Sequence, residues 1–173
     1  AVRQCFFFSE PGATGLYTLA VPDALPVCVA EMSDAHIDSV FDVEFSRNGE
    51  FIASAGADKL VRVFEVATGK QIHKFEGHTN YALGVGWRHD GKQIASCGAD
   101  DKVMIWDVKT GDRLRTIQGF KKQVFAVKFI GQKNVTVACA GDRTLRMHNS
   151  DNGSVVRSFS GGGSDYLYSL DIT

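Results

Sequence analysis

Cysteine is scarce in this sequence and nowhere arranged for chemistry. The four residues Cys5, Cys28, Cys97 and Cys139 form no C-x-x-C pair and no dense framework, which excludes a thiolate zinc site and a small disulfide scaffold. Long apolar runs are missing too. Nothing approaches the ~18 residues of a membrane helix, so membrane insertion is not expected, and no basic-then-apolar leader opens the chain. A start on Ala1, without Met, reads as a processed or excised piece, and the compartment stays open between cytoplasm and periplasm. Net charge is nearly absent: 19 basic and 20 acidic residues leave −1, which gives no global reason to expect nucleic acid or an anionic membrane surface as partner. No capped segment of helical period occurs anywhere, so the chain is expected to be all-β.

What is present is an ordinary globular balance, 44% hydrophobic and 23% charged, with enough apolar material for a core. The charges are unevenly spread. Residues 1–58 carry nine acids against Arg3 and Arg47, whereas residues 109–146 carry nine bases against Asp112 and Asp142. Solvated faces explain most such runs; the alternative is that the two ends attract each other, or those of a neighbouring chain, in a salt-sensitive way.

The organising feature is a repeat. The stretch Gly77 to Asp107, GHTNYALGVGWRHDGKQIASCGADDKVMIWD, is copied on both sides at a spacing of 42 residues. His36 becomes His78 and then Phe120; Asp58 becomes Asp100 and Asp142; Phe64 becomes Trp106 and His148; Gly69 becomes Gly111 and Gly153. A fixed period of this size marks one supersecondary unit stacked repeatedly. Within each copy the first strand has large apolar residues at alternate positions (Phe41, Val43, Phe45; Leu83, Val85, Trp87; Phe125, Val127, Phe129), a period of two that belongs to a strand. Tight loops follow, with Gly49 and Gly91 suited to positive φ. Second strands from Phe51, Gln93 and Val135 end in GAD, GAD and AGD. Third strands LVRVFEV, KVMIWDV and TLRMHNS lead through ATGK, KTGD and DNGS to fourth strands QIHKFEG, RLRTIQG and VVRSFSG. Before the repeats, Cys5 to Glu10, Leu16 to Val21 and Val27 to Met32 read as three strands divided by the turn sequences PGATG and PDALP. After them, Leu167 to Ile172 repeats the first-strand pattern, shifted by one residue.

Gly-His before a first strand, Asp in the turn after the second and Trp-Asp closing the third resemble the WD40 family. The resemblance runs from Asp34 to Ile172 and is fullest at Gly77-His78, Asp100 and Trp106-Asp107. It implies blades of a β-propeller, divided as 1–35 (three strands of an incomplete, divergent blade), 36–77, 78–119, 120–161 (a divergent blade) and 162–173 (the first strand of a further blade). That makes about four blade equivalents, expected as a partial ring or as a ring completed by oligomerisation. The resemblance also implies a buried hydrogen-bonded tetrad at His78, Ser96, Asp100 and Trp106, with the partial set His36, Ser54 and Asp58 beside it. Phe120 and His148 break the set in the third repeat, so Asp142 is expected to have fewer polar partners than Asp100. The phrases around SDYLY and ALGVGW are similar to bacterial WD40 modules joined to c-type cytochrome segments, although the haem motif C-x-x-C-H is absent.

Catalytic and metal readings are weaker than structural ones. Ser96, His78 and Asp100 spell a hydrolase triad, yet the repeat puts them in a packed position and no G-x-S-x-G elbow surrounds the serine. His36, His73, His78, His89 and His148 show no ligand spacing. Asp100-Asp101-Lys102 and Asp58-Lys59 lack the alternating oxygens and terminal Glu of a calcium loop. No catalytic residue, metal or cofactor is therefore expected.

Function is expected in the loops before the first and after the second strand of each blade, which the family resemblance implies as the contact face. Variable loops on a stiff scaffold carry recognition. Those loops put Asp38, Asn80, Tyr81, Lys121, Lys122 and Tyr166 on one rim, with Ile37, Thr79 and Phe120 beside them. The tyrosines are the expected anchors for a protein or peptide partner. Two alternatives stay open: a half-propeller that assembles into a larger ring or multi-subunit complex, and an accessory domain of a redox protein whose catalytic part lies outside these residues.

Overall fold

The computed structural model describes residues 35–160 and 166–171. The three strands expected within residues 1–35 lie outside the described residues. Among the described residues there are twelve strands and no helix. They form three four-stranded antiparallel sheets with neighbours in chain order. The first sheet contains β1 (Val40–Phe45), β2 (Phe51–Gly56), β3 (Leu60–Glu65) and β4 (Gln71–Glu76). The second contains β5 (Ala82–Trp87), β6 (Gln93–Gly98), β7 (Val103–Asp107) and β8 (Arg113–Ile117). The third contains β9 (Val124–Phe129), β10 (Val135–Ala140), β11 (Thr144–Asn149) and β12 (Val155–Ser160).

Registers repeat as the sequence does. Ser54 lies opposite Val43 and Arg62, and Ser96 opposite Val85 and Met104. Each loop between first and second strand turns through a left-handed glycine, Gly49 at φ 72° and Gly91 at φ 70° as expected, and Gly131 at φ 53° in the third. The turn after each second strand holds a non-glycine residue in the same region: Lys59, Asp101 and Arg143 at φ 70°, 61° and 64°.

The core lies between blades rather than within one. Ala53, Ala55, Val61, Val63 and Phe75 of the first sheet pack on Val85, Trp87, Ile94, Met104 and Trp106 of the second. Ala95, Cys97, Val103, Ile105 and Ile117 then pack on Phe120, Val124, Val127, Phe129 and Ala138 of the third. Both faces of the middle sheet are thus covered, which is why its second and third strands read as near-continuous apolar runs. Cys97 and Cys139 are buried free thiols, and burial pushes both thiols up from their ordinary range.

The innermost strands are tied by polar bonds. Asp42 accepts from the Val85 amide at 2.9 Å, and the Trp87 indole donates to the Glu44 carbonyl at 2.9 Å. Lys128 on β9 reaches past β5 to Glu44 on β1 at 2.7 Å. Among the described residues this is the ion pair that joins the acidic first part of the chain to the basic later part.

Two first-strand expectations take a different form. Phe41, Val43 and Phe45 are 47%, 38% and 37% exposed, whereas Val85 and Val127 are 0% exposed, because β1 has no described blade on that side. Residues 166–171 form no strand: a first strand here pairs with the second strand of its own blade, and no described strand takes that place.

Candidate functional site

In the middle blade the four tetrad positions come together in one chain of hydrogen bonds. Trp106 on β7 donates its indole N–H to Ser96 Oγ on β6 at 2.8 Å. Ser96 Oγ lies 2.8 Å from His78 Nε2, and His78 Nδ1 lies 2.9 Å from Asp100 Oδ1. Asp100 Oδ2 accepts from the Thr79 amide at 3.1 Å, tying the rim loop to the network. Burial opposes ionisation of Asp100, but the His78 bond and charge, the Thr79 amide and Lys102 outweigh it and hold the carboxyl below its ordinary range. The serine is 0% exposed and its oxygen is covered by the indole that donates to it, so it offers no access to a substrate.

The first blade has the corresponding partial set. His36 Nδ1 lies 2.8 Å from Asp58 Oδ1, and His36 Nε2 lies 2.7 Å from Ser54 Oγ. Phe64 replaces the indole, so Ser54 receives no aromatic N–H. Gly56 and Gly98 make room for the histidines: a Cβ at Gly56 would lie 2.4 Å from His36 Nδ1, and one at Gly98 3.0 Å from His78 Nδ1. The third blade has Phe120 in place of the histidine, and Ala140 stands at the matching position.

Sequence reasoning missed an arginine. Where the tryptophan is lost, the third strand carries Arg62 or Arg146; where Trp106 is present, the same position is Met104. Arg62 stands 3.2 Å from Asp58 Oδ2 and donates to the Ala35 carbonyl. Arg146 stands 3.1 Å from Asp142 Oδ2 and donates to the Gly119 carbonyl at 2.6 Å. The two arginines make the same pair of contacts 84 residues apart in sequence. Their recurrence two residues before Phe64 and His148 was the available signal.

The expectation that Asp142 has fewer polar partners than Asp100 is therefore corrected. Asp142 accepts from the Lys121 amide at 3.2 Å, from the Thr144 amide at 3.1 Å, from the Thr144 hydroxyl and from Arg146. Burial opposes its ionisation, and these bonds still hold its carboxyl below the ordinary range.

His148 occupies the tryptophan position of the third blade at 1% exposure, its ring 5.4 Å from that of Phe120. Neither ring nitrogen has a partner among the described residues, nor does Oγ1 of Thr136, its cross-strand neighbour on β10. Burial, with the Arg146 charge adding to it, pushes the imidazole pKa down. His36 is also held down by burial, against the pull of Asp58. An unfolded histidine titrates near pH ~6.5. Between the depressed folded value and ~6.5 the unfolded chain binds a proton that the folded chain refuses, so stability is fully present above ~6.5 and is lost as pH falls below it. His148→Phe is expected to leave stability at pH 7.5 unchanged or higher, since both unpaired nitrogens disappear, and to shrink the loss between pH 7.5 and 5.5. Urea midpoints at the two pH values measure both effects, and an undiminished loss in the variant contradicts the assignment.

The six rim positions divide by role. Asp38 is exposed and caps the Ser39 amide at 2.7 Å, and Asn80 Oδ1 accepts from the Tyr81 amide at 2.9 Å. Tyr81 is 47% exposed with its ring 5.8 Å from Phe41. Lys121 and Lys122 are exposed, and Lys122 Nζ lies 3.3 Å from the Tyr166 hydroxyl. Phe120, expected beside them on the rim, is 7% exposed and belongs to the core, because it fills the space vacated by the histidine. Among the described residues no group of His, Cys, Asp and Glu is arranged to hold a metal.

Comparison with known proteins agrees with this geometry. The family described as "WD domain, G-beta repeat" (WD40) matches at residues 26–65 and 69–107. GID complex subunit 7 of Schizosaccharomyces pombe is 34% identical over 59 residues, which is 34% of this chain and 12% of that protein. The probable serine/threonine-protein kinase PkwA of Thermomonospora curvata is 44% identical over 39 residues, 22% of this chain and 5% of that protein. Both relatives are thus matched over a small part of their length. The crystal structure of RRP9 WD40 repeats superimposes with a TM-score of 0.72 at 23% identity, over 76% of this chain and 41% of that one. The structure of U3-55K gives 0.72 at 22% identity, over 76% and 42%. With four-stranded antiparallel blades, a Gly-His/Asp/Trp-Asp signature and two stretches that match the family model, this chain carries WD40 repeats and has the blade fold of the WD40 β-propellers.

Proposed function

We propose that this chain is a non-catalytic interaction scaffold that holds a protein or peptide partner on the rim carrying Asp38, Asn80, Tyr81, Lys121, Lys122 and Tyr166, with the tetrads as structural supports. The observation that carries the reading is a division of labour. The polar residues that spell chemistry, Ser96, His78 and Asp100, are buried and mutually bonded, while one exposed aromatic ring, Tyr81, stands in the loop they brace and a second, Tyr166, packs on the third blade. Tyr81 and Tyr166 are 47% and 42% exposed, each against a phenylalanine of an innermost strand at 5.8 Å and 6.4 Å. Rigid aromatic anchors of this kind bring large contact area at low entropy cost. Selection of short random peptides against the immobilised protein tests the reading: enriched peptides should lose binding to Tyr81→Ala/Tyr166→Ala, and undiminished binding to that variant counts against it.

A second reading, a part of a larger ring or multi-subunit complex, draws on the last described blade. Phe159 on β12 is 44% exposed, whereas its equivalents Phe75 and Ile117 are 1% and 2% exposed under the following blade. Apolar flanks of this kind are normally covered. Sedimentation equilibrium at micromolar concentration discriminates, and a monomer mass throughout removes self-assembly through this flank.

A further inference from the structure

We propose that the third-blade end of the rim is a site for an acidic peptide segment that carries an aromatic or aliphatic residue beside its carboxylates. The proposal rests on the rim reading above and names the partner's chemistry. The first observation is a charge imbalance between equivalent loops. In the first blade Asp38 is accompanied by Lys59, and in the second Asp101 by Lys102; the third has Lys121, Lys122 and Arg143. Among the described residues of this blade's rim turns the acid is Asp142, and it is turned inward and held by Arg146 and Thr144. Arg146 stands in for the lost tetrad, and among the described residues no carboxylate pairs with the cations above it. The side chains of Lys121 and Arg143 are exposed and make no hydrogen bond or ion pair with a described residue.

The second observation is an aromatic cluster built against one of these cations, Lys122. Lys122 Nζ lies 5.0 Å above the Tyr166 ring, an arrangement that fixes the ammonium in place without neutralising it. Tyr166 and Tyr168 meet edge to face at 6.0 Å, and both pack on Phe125, at 6.4 Å and 4.9 Å. Gly141 forms the floor: a Cβ there would lie 3.3–3.5 Å from Phe125, Lys122 and Tyr166. The other two blades have Ala57 and Ala99 at this position, so the third rim is the one recessed by a methyl group. Tyr168 is 60% exposed and packs on Tyr166, the ring that Lys122 covers. Carboxylates on the cations and an apolar side chain on the tyrosines satisfy both features at once. A long nucleic acid strand fits less well, because the net charge is −1 and the strand would pass Asp38 and Asp101 on the neighbouring loops.

Peptides from the random selection are expected to be enriched in Asp and Glu next to Leu, Phe or Trp. A synthetic peptide of that composition should bind by fluorescence anisotropy, weaken about tenfold or more in Lys121→Glu/Arg143→Glu, and weaken similarly when salt rises from about 0.05 to 0.5 M. Neither substituted side chain supports the fold by a described contact, and thermal midpoints of the variants confirm that it is intact. Peptides that need Tyr81 and Tyr166 but show no acidic bias leave the rim reading standing and overturn this proposal. Peptides indifferent to every rim variant overturn both. Absence of enrichment, or preference for single-stranded oligonucleotide over peptide at matched charge, also overturns the acidic-peptide assignment.

Discussion

Trp106→Ala is expected to cost about 3–5 kcal/mol, the range for deleting a buried large aromatic side chain. The indole is 2% exposed and lies against Phe75 of the preceding blade, ring centroids 5.1 Å apart. It also supplies the N–H that Ser96 Oγ accepts at 2.8 Å. The substitution therefore opens a cavity between two blades and removes one bond from a network whose members polarise one another. Trp106→Phe separates the two effects. It keeps most of the volume and loses the donor, so it should cost about 1 kcal/mol. Urea unfolding measures both, and equal losses for Ala and Phe would show that volume does not matter at this interface.

Asp58→Ala is expected to be the most damaging of the three turn-aspartate substitutions, at about 3–5 kcal/mol. It strands Arg62, whose side chain is 9% exposed and would keep only the Ala35 carbonyl, and it removes the Nδ1 partner of a histidine that is itself 1% exposed. Asp142→Ala similarly strands Arg146, but that side chain is 16% exposed, so water compensates part of the loss. Asp100→Ala leaves no buried guanidinium; it orphans His78 Nδ1 and the Thr79 amide, at about 1–3 kcal/mol. The expected order is Asp58, then Asp142, then Asp100. From motif completeness alone, Asp100 would rank above Asp142. Unfolding midpoints of the three variants decide the order, and a loss at Asp100 exceeding both others would overturn the role given to the arginines.

The arginines also show why motif reading fell short at the degraded repeats. His78, Ser96, Asp100 and Trp106 were legible because a complete signature at fixed spacing predicts who meets whom. In the first and third repeats, departures from the signature read as missing contacts. The side chains that replace those contacts sit two residues before the lost tryptophan and outside the signature. The same limit applied to Phe120, which reads as a rim residue by position and is buried because the pocket left by a histidine is apolar once Ala138 and Ala140 line it.

By itself the sequence determined the all-β architecture, the blade repeat and the strand order, since period-two apolar patterns, turn residues and a 42-residue spacing act locally or between neighbouring copies, and the middle-blade tetrad followed from the family resemblance. Tertiary structure decided everything that depends on which face meets which. It placed the core between sheets, paired Lys128 with Glu44 across an intervening strand, turned Asp142 inward onto Arg146, and gathered Lys122, Phe125, Tyr166 and Tyr168 at one end of the rim. Those contacts join residues far apart in sequence, where burial and charge pairing are set by the packing of whole blades and no local pattern encodes the partner.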